Sequence, residues 1–156
     1  MKRHTWLNIV FGGLAGSWAV LAGATAADPH IGAVPLALAF VLFLWTPPHF
    51  WSLAIAFKDD YAATGIPMLP VVVGDKRAAQ VIFISTLALV AASLLPLAFG
   101  LGAIYFAGAA AGGFLFIQKA WLLARDTNRK TAMTCFHASL IQLTLVLLAA
   151  IIDVQF

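Results

Sequence analysis

The chain has 156 residues, of which 63% are hydrophobic and only 10% are charged, and its mean hydropathy is +0.98. These values lie outside the range of soluble globular domains and indicate an integral membrane protein. The net charge of +3 does not call for a nucleic-acid partner, because the membrane topology described below accounts for the basic residues.

Five apolar segments are each long enough to cross a bilayer, whose hydrocarbon core takes about 20 residues of helix. In chain order they cover residues 9–26, 34–57, 79–99, 101–124 and 133–152. Since little sequence remains for a soluble domain, we predict an all-α membrane protein with one membrane domain, 1–156. The first segment, with Lys2 and Arg3 before it and Ala24-Thr25-Ala26 at its end, also imitates a secretory signal peptide. Its loss would break the regular alternation of spans, so we favour a membrane helix.

Small residues predict how some of these helices pack. Glycines recur in the first and fourth segments, where they allow another helix to approach closely; they are Gly12, Gly13, Gly16, Gly23, Gly108, Gly112 and Gly113. Gly100 and Gly102 separate the third and fourth segments and predict a tight turn within an antiparallel hairpin. Cys135 is the one cysteine, so no intrachain disulfide is possible, and a packing role is expected.

The basic residues occupy alternate connections, and the positive-inside rule converts this pattern into an orientation. They lie before the first segment, between the second and third, and around the connection of the fourth and fifth: Lys2, Arg3, Lys58, Lys76, Arg77, Lys119, Arg125, Arg129 and Lys130. We therefore expect a multi-pass protein of the cell (inner) membrane. Its N-terminus and its Asp59–Asp60 loop would face the cytoplasm, and its C-terminus would lie outside.

The second segment contains a double proline followed by a histidine, Pro47-Pro48-His49. Both prolines lack a backbone N–H and their rings clash with the preceding turn, so we expect a kinked or interrupted helix. Irregular backbone within a membrane normally lines a cavity. His49 would then lie near the start of a second half-helix. Ionisable groups are costly inside a membrane, so His49 is a candidate functional residue, although a hydrogen bond to a freed carbonyl is the alternative.

Lys58-Asp59-Asp60-Tyr61 follows where this helix should reach water. Carboxylates at a membrane boundary can hold Mg²⁺, which in turn can hold a diphosphate. A solvated loop that marks the membrane edge is the alternative interpretation, since two adjacent acids are a weak motif.

Further candidate substrate-binding residues surround this segment. Trp51 belongs to a group of aromatic residues suited to a flat or polyisoprenoid ligand, although interfacial anchoring also explains them. Arg3, Lys76 and Arg77 would share the cytoplasmic face with the acid pair and could contact phosphate oxygens. Asn8, which enters the first segment, is either a helix cap or a polar ligand group.

The string FLWTPPHFWSLAIAFKDDYAATGIPMLPVV resembles the signature of the heme farnesyltransferase branch of the UbiA family of intramembrane prenyltransferases. The residues Lys2-Arg3-His4-Thr5, Asn8-Ile9-Val10 and Gly12-Gly13 resemble a segment that enters a middle helix of that family. The resemblance in order and spacing runs through Pro70, whereas the last three segments match in topology and general character. It implies the C-terminal part of a UbiA-type helical bundle.

The resemblance also implies a reaction, the transfer of a farnesyl group from farnesyl diphosphate to a vinyl group of heme B, which yields heme O. Heme B would be a substrate and not a prosthetic group. Asp59 and Asp60 match the family's second acidic cluster, where Mg²⁺ would hold the diphosphate, and Lys58 and Tyr61 lie beside it. His49 falls on the histidine of the PHFW element, for which heme contact is the implied role.

Two departures from the family pattern bear on activity and on substrate detail. The family's first Asp-rich motif, of the form NxxxDxxxD, is absent, so we expect this chain to be the C-terminal portion of an enzyme with weak or no activity alone. Its expected partners are the lipid bilayer and the N-terminal half, or a heme A synthase and terminal oxidase assembly. Thr46 also stands where members commonly carry Gln. The alternatives are a UbiA prenyltransferase acting on a quinone or chlorin, and a non-catalytic membrane fragment.

Overall fold

The computed structural model describes Thr5 and residues 7–155 of the chain. Arg3, a candidate substrate-binding residue, lies outside the described residues. Eight helices are described: α1 (Asn8–Ala27), α2 (Ala33–Ala56), α3 (Lys58–Ala63), α4 (Leu69–Val73), α5 (Asp75–Ala92), α6 (Leu95–Ala98), α7 (Ala103–Arg125) and α8 (Arg129–Gln155).

Five helical segments of this part of the chain are long and apolar enough to cross a membrane, which confirms the prediction. They are α1, α2, the stretch Asp75–Ala98 that contains α5 and α6, α7 and α8. The third begins at Asp75 and not at 79, because Gly74 adopts a φ of +86° and turns the chain directly into α5. The charged first turn of α5 therefore belongs to the helix although it is polar in sequence.

Helix α2 lies at the centre of the bundle, packed against α1, α5 and α8, while α7 packs against α5 and α8. Large side chains that are at most 1% exposed fill the space between these helices: Val41, Ile82, Leu89, Phe116 and Leu123. Helix α1 packs mainly against α2, and Gly13 is its one buried residue. Thus four long helices form the core of the described bundle, and α1 lies on its outside.

Helices α7 and α8 pack closely against each other, as the glycines of α7 predict. A Cβ added to Gly108 would lie 2.5 Å from the Cβ of Ala149, and one added to Gly112 would lie 2.9 Å from the Cα of Gln142. In α1, a Cβ at Gly13 would lie 3.1 Å from Thr46, but one at Gly23 would meet nothing within 4 Å. Close packing is therefore found for the glycines of α7 and for only part of those in α1.

The predicted turn between the third and fourth spans is present. Gly100 has a φ of +113°, which side chains rarely tolerate, and the turn brings α7 back against α5. The carboxylate of Asp153, near the end of α8, accepts hydrogen bonds from the backbone N–H groups of Gly102, Ile104 (3.1 Å) and Tyr105 (3.2 Å). A side chain distant in sequence therefore caps the start of α7.

The expected interruption at Pro47 and Pro48 is wrong, because α2 is a continuous helix from Ala33 to Ala56 with both prolines inside it. Proline has a φ compatible with the α-helix, so the local cost is one missing hydrogen bond and a ring clash with the preceding turn for each proline. Both prolines are buried at the centre of the bundle, where packing supports the helix on several sides. The Thr46 hydroxyl also bonds to the carbonyl of Leu42 at 2.9 Å within this region.

Candidate functional site

One end of the bundle carries all the lysine and arginine side chains of the described residues. The end of α2, helix α3, the start of α5, the end of α7 and the start of α8 meet there. An ion pair of 3.2 Å between Lys58 Nζ and Asp75 Oδ1 links α3 to α5, and the guanidinium of Arg129 lies 5.0 Å from the ring centre of Phe57. We call this the basic end.

The acid pair lies at the basic end in a short helix, α3, and not in the expected loop. Asp59 and Asp60 occupy its first turn, where carboxylates interact favourably with the N-terminal N–H groups. Both residues are exposed, and within the described part of the chain no ion pair occupies either carboxylate. Two carboxylates are thus exposed at the basic end.

A cavity of about 360 Å³ lies next to α3, between the start of α1 and the middle of α2. Its lining residues are Asn8, Ile9, Gly12, Thr46, Phe50, Tyr61, Ile66 and Met68. Most of the wall is apolar, and polar groups come from Asn8, Thr46 and Tyr61. The structure therefore brings two predicted site residues, Asn8 and Tyr61, to one cavity, and Tyr61 belongs to the same six-residue helix as the acid pair.

His49 lies outside this cavity and within the protein core. Its side chain is buried, with Nδ1 2.6 Å from the hydroxyl of Ser139 on α8. The imidazole stacks between the rings of Trp45 and Phe136, at centroid distances of 4.0 and 4.5 Å. Because α2 is continuous, His49 is not at the start of a half-helix, which corrects that expectation. The imidazole joins α2 to α8 on a face other than the one lined by Thr46 and Phe50.

Trp51, Lys58, Lys76 and Arg77 also lie away from the cavity wall. Trp51 is 4% exposed and belongs to the main core. Lys58 forms the ion pair with Asp75, so its charge is partly neutralised within the protein. Lys76 and Arg77 are exposed in the first turn of α5 and do not line the cavity.

Sequence reasoning missed the cavity residues Ile66 and Met68, as well as Ser139. Phe50 is one of the aromatic residues expected at a pocket, and it shares one face of α2 with Thr46, four positions earlier. Ile66 and Met68 reach the cavity only because the connection after α3 folds back against the bundle. Ser139 is 90 positions from His49, so no sequence spacing points to their contact.

The donor set of α3 suits a hard cation such as Mg²⁺, which takes carboxylate oxygens and completes its octahedral shell with water and substrate phosphate. No group of three or more His, Cys, Asp or Glu side chains gathers in the described part of the chain to hold a metal by itself. Asp59 and Asp60, both exposed, fit a metal that is shared with a phosphorylated ligand. The neighbouring apolar cavity suits the hydrocarbon portion of such a ligand.

Comparison with known proteins shows similarity to one family. Residues 1–141 match the model of the UbiA prenyltransferase family. The chain is 56% identical over 98% of its length to protoheme IX farnesyltransferase 2 of Paramagnetospirillum magneticum, of which it covers 53%. It is 51% identical to protoheme IX farnesyltransferase 1 of the same organism, over 98% of this chain and 54% of that relative. It is 45% identical to protoheme IX farnesyltransferase 1 of Pseudomonas fluorescens, over 98% of this chain and 51% of that relative. No solved structure matches.

The similarity extends well past Pro70, the limit of the resemblance seen in the motifs, because the family match includes α5, α7 and the first part of α8, and the match to the relative covers 98% of the chain. The chain spans about half the length of the curated relatives it matches. A family match over most of the chain, with five membrane-length helices, shows that the chain belongs to the UbiA prenyltransferase family.

Proposed function

We propose that this chain takes part in heme O synthesis, by transferring the farnesyl group of farnesyl diphosphate to a vinyl group of heme B. The observation that carries the proposal is the position of α3, which holds Asp59 and Asp60 at the basic end while its Tyr61 lines an apolar cavity. The relatives named protoheme IX farnesyltransferase supply the choice of donor and acceptor.

The two ends of farnesyl diphosphate require different surroundings, and the site offers both. Asp59 and Asp60 would hold Mg²⁺, which when bound would neutralise the diphosphate charge and make it a better leaving group. The cavity of about 360 Å³ would take the isoprenoid chain against Ile9, Phe50 and Met68. Its volume lies within the roughly 300–1,000 Å³ typical of small-molecule sites.

The reaction forms a short-lived cation, which must be protected from water until the new carbon–carbon bond forms. The carbon–oxygen bond to the diphosphate breaks and the diphosphate leaves with the electron pair. The vinyl π electrons of heme B then form the new carbon–carbon bond. Water adds to the resulting cation and loses a proton, which gives the hydroxyethylfarnesyl group. The apolar walls formed by Phe50, Ile66 and Met68 would exclude water from the farnesyl cation that the departing diphosphate leaves behind.

The other candidate residues take supporting roles in this proposal. Asn8 and Tyr61 line the cavity and would hydrogen-bond substrate, and Lys58 lies at the start of α3 beside the acids. Lys76 and Arg77 would contribute positive charge at the basic end. Contact of His49 and Trp51 with heme stays a prediction, as do the roles of Arg3 and of a heme A synthase or terminal oxidase partner. We further propose that the basic end faces the cytoplasm.

Heme extraction tests the proposal. Membranes containing this chain, alone or together with the part of the Paramagnetospirillum relative that it does not match, would be extracted and their hemes separated by chromatography and mass spectrometry. We expect farnesylated heme when both parts are present. Heme B alone, with both parts inserted in the membrane, would contradict the proposal.

Substitution of the acid pair tests the assigned roles in the same assay. Asp59→Asn or Asp60→Asn should lower heme O formation about 100-fold or more, because a carboxylate ligand of the diphosphate-bound metal is lost. Asp126→Asn is the matched control, since this exposed acid lies at the same end between α7 and α8. Unchanged turnover in both Asn variants would remove the acid pair from the mechanism.

A further inference from the structure

A second cavity, of about 340 Å³, opens at the basic end between the start of α5 and the end of α7. Its lining residues are Gln80, Phe83, Ile84, Trp121, Ala124 and Arg125. None of them lines the first cavity or belongs to the proposed prenyl-transfer site. The proposed reaction therefore leaves this cavity without a role.

The polar part of the second cavity presents hydrogen-bond donors. The guanidinium of Arg125 lies 4.7 Å from the ring centre of Trp121, and Phe83 contacts the same indole at a centroid distance of 5.4 Å. A guanidinium held over an aromatic ring keeps its N–H donors at its edges, where they can bind an anion with two oxygens. The exposed side-chain amide of Gln80 adds a donor from the facing helix.

The surroundings of this cavity carry an excess of positive charge. Lys76 and Arg77 are exposed one turn before Gln80, and at spacings of three and four residues they share its face of α5. Two acids lie nearby in the chain: Asp126 follows Arg125, and Asp75 precedes Lys76 but is paired with Lys58 at 3.2 Å. The basic side chains Lys76, Arg77 and Arg125 therefore outnumber the acids that remain available to them. The charge balance favours an anionic occupant.

The rest of the cavity favours an apolar occupant. Phe83, Ile84, Trp121 and Ala124 lie on the membrane-spanning portions of α5 and α7. The cavity of about 590 Å³ at the opposite end of the bundle is lined mainly by aliphatic side chains and has no basic residue in its wall. An occupant of the second cavity thus needs both an anionic group near water and a hydrocarbon portion within the membrane.

We propose that the second cavity binds an anionic phospholipid. The lipid phosphate accepts hydrogen bonds from the side chains of Arg125 and Gln80, and its acyl chain packs against Phe83 and Trp121. Basic pockets between membrane helices recognise anionic head groups by this combination of charge and apolar surface. Lys76 and Arg77 strengthen the attraction from the adjoining turn of α5.

Native mass spectrometry of the purified chain in detergent tests the proposal, with phosphatidylglycerol and phosphatidylcholine of the same acyl chains as probes. We expect phosphatidylglycerol to bind more tightly than phosphatidylcholine. Arg125→Gln should weaken phosphatidylglycerol binding about fivefold, which is the contribution of one basic residue near an anionic membrane surface. Arg129→Gln is the matched control, because this arginine lies at the same end over Phe57 and outside the cavity. Equal binding of the two lipids, or equal loss in the two variants, would overturn the proposal.

Two further measurements separate a lipid from a free anion and from misfolding. Ala124→Leu should weaken phosphatidylglycerol binding by filling the apolar part of the cavity while every charge is kept. Inorganic phosphate at millimolar concentration should not displace the lipid; displacement would show an anion site only and overturn the acyl-chain contact. Circular dichroism of each variant reports folding. The assay involves no turnover, so its result is independent of heme O synthesis.

Discussion

The contact between His49 and Ser139 shows how a polar group is accommodated in the centre of this bundle. The Ser139 hydroxyl donates to the carbonyl of Phe136 at 2.6 Å, so the arrangement that satisfies both bonds has His49 donating from Nδ1. Trp45 Nε1 donates to the backbone carbonyl of Ser139 at 2.8 Å. Two side chains of α2 therefore bond to a single residue of α8.

Ser139→Ala is predicted to destabilise the bundle. The substitution leaves the buried Nδ1 of His49 without its partner, and hydrogen bonds of this kind contribute about 1 kcal/mol in membrane proteins. Unfolding of the detergent-solubilised protein, followed by circular dichroism, would measure the loss. Thr144→Ala is the control, because the exposed Thr144 hydroxyl on α8 bonds within its own helix, to the carbonyl of Leu140 2.8 Å away. Equal stability of the two variants would contradict a structural role for the His49 contact.

At the scale of helices, the α7–α8 contact depends on residues without side chains. Gly108→Ala should destabilise the protein by about 1–3 kcal/mol, because its Cβ would lie 2.5 Å from that of Ala149 and 3.0 Å from the carbonyl oxygen of Leu145. Gly23→Ala is the matched substitution in α1, where a Cβ meets nothing within 4 Å, and helix propensity should make it neutral or stabilising by up to about 1 kcal/mol. Thermal unfolding of both variants compares them directly. A neutral Gly108→Ala would show that the two helices can separate without cost.

The cap of α7 by Asp153 is a second feature of helix scale. Asp153→Ala removes the acceptor for three backbone N–H groups at the start of α7, so we expect a lower melting temperature and faster hydrogen exchange around Gly102–Tyr105. Exchange measured by mass spectrometry on the detergent-solubilised protein would locate the effect. Asp126→Asn changes an exposed acid beyond the end of α7 and should leave exchange in that turn unchanged.

For the whole molecule, the positions of the basic residues predict which side of the membrane each end occupies. Cysteines introduced at His30 and Thr64 lie in exposed connections at opposite ends of the bundle, while the native Cys135 is buried and protected from reagents. In right-side-out vesicles, a membrane-impermeant maleimide should label His30→Cys at once. Thr64→Cys should be labelled only after permeabilisation. The reverse pattern would place the acid pair outside the cell and contradict the proposed orientation.

The sequence alone determined the class of the protein, the number of its spans and its family, because these depend on local apolar length and on motifs contiguous in the chain. The double proline did not interrupt the second span, however. Helix α2 is continuous because buried packing supports it around Pro47 and Pro48. Only the tertiary structure decided that Asn8 and Tyr61 share a cavity, that His49 bonds to Ser139, and that Arg125 and Gln80 line a second cavity. These contacts join residues on different helices, and the packing of those helices, not their local sequence, sets which faces meet.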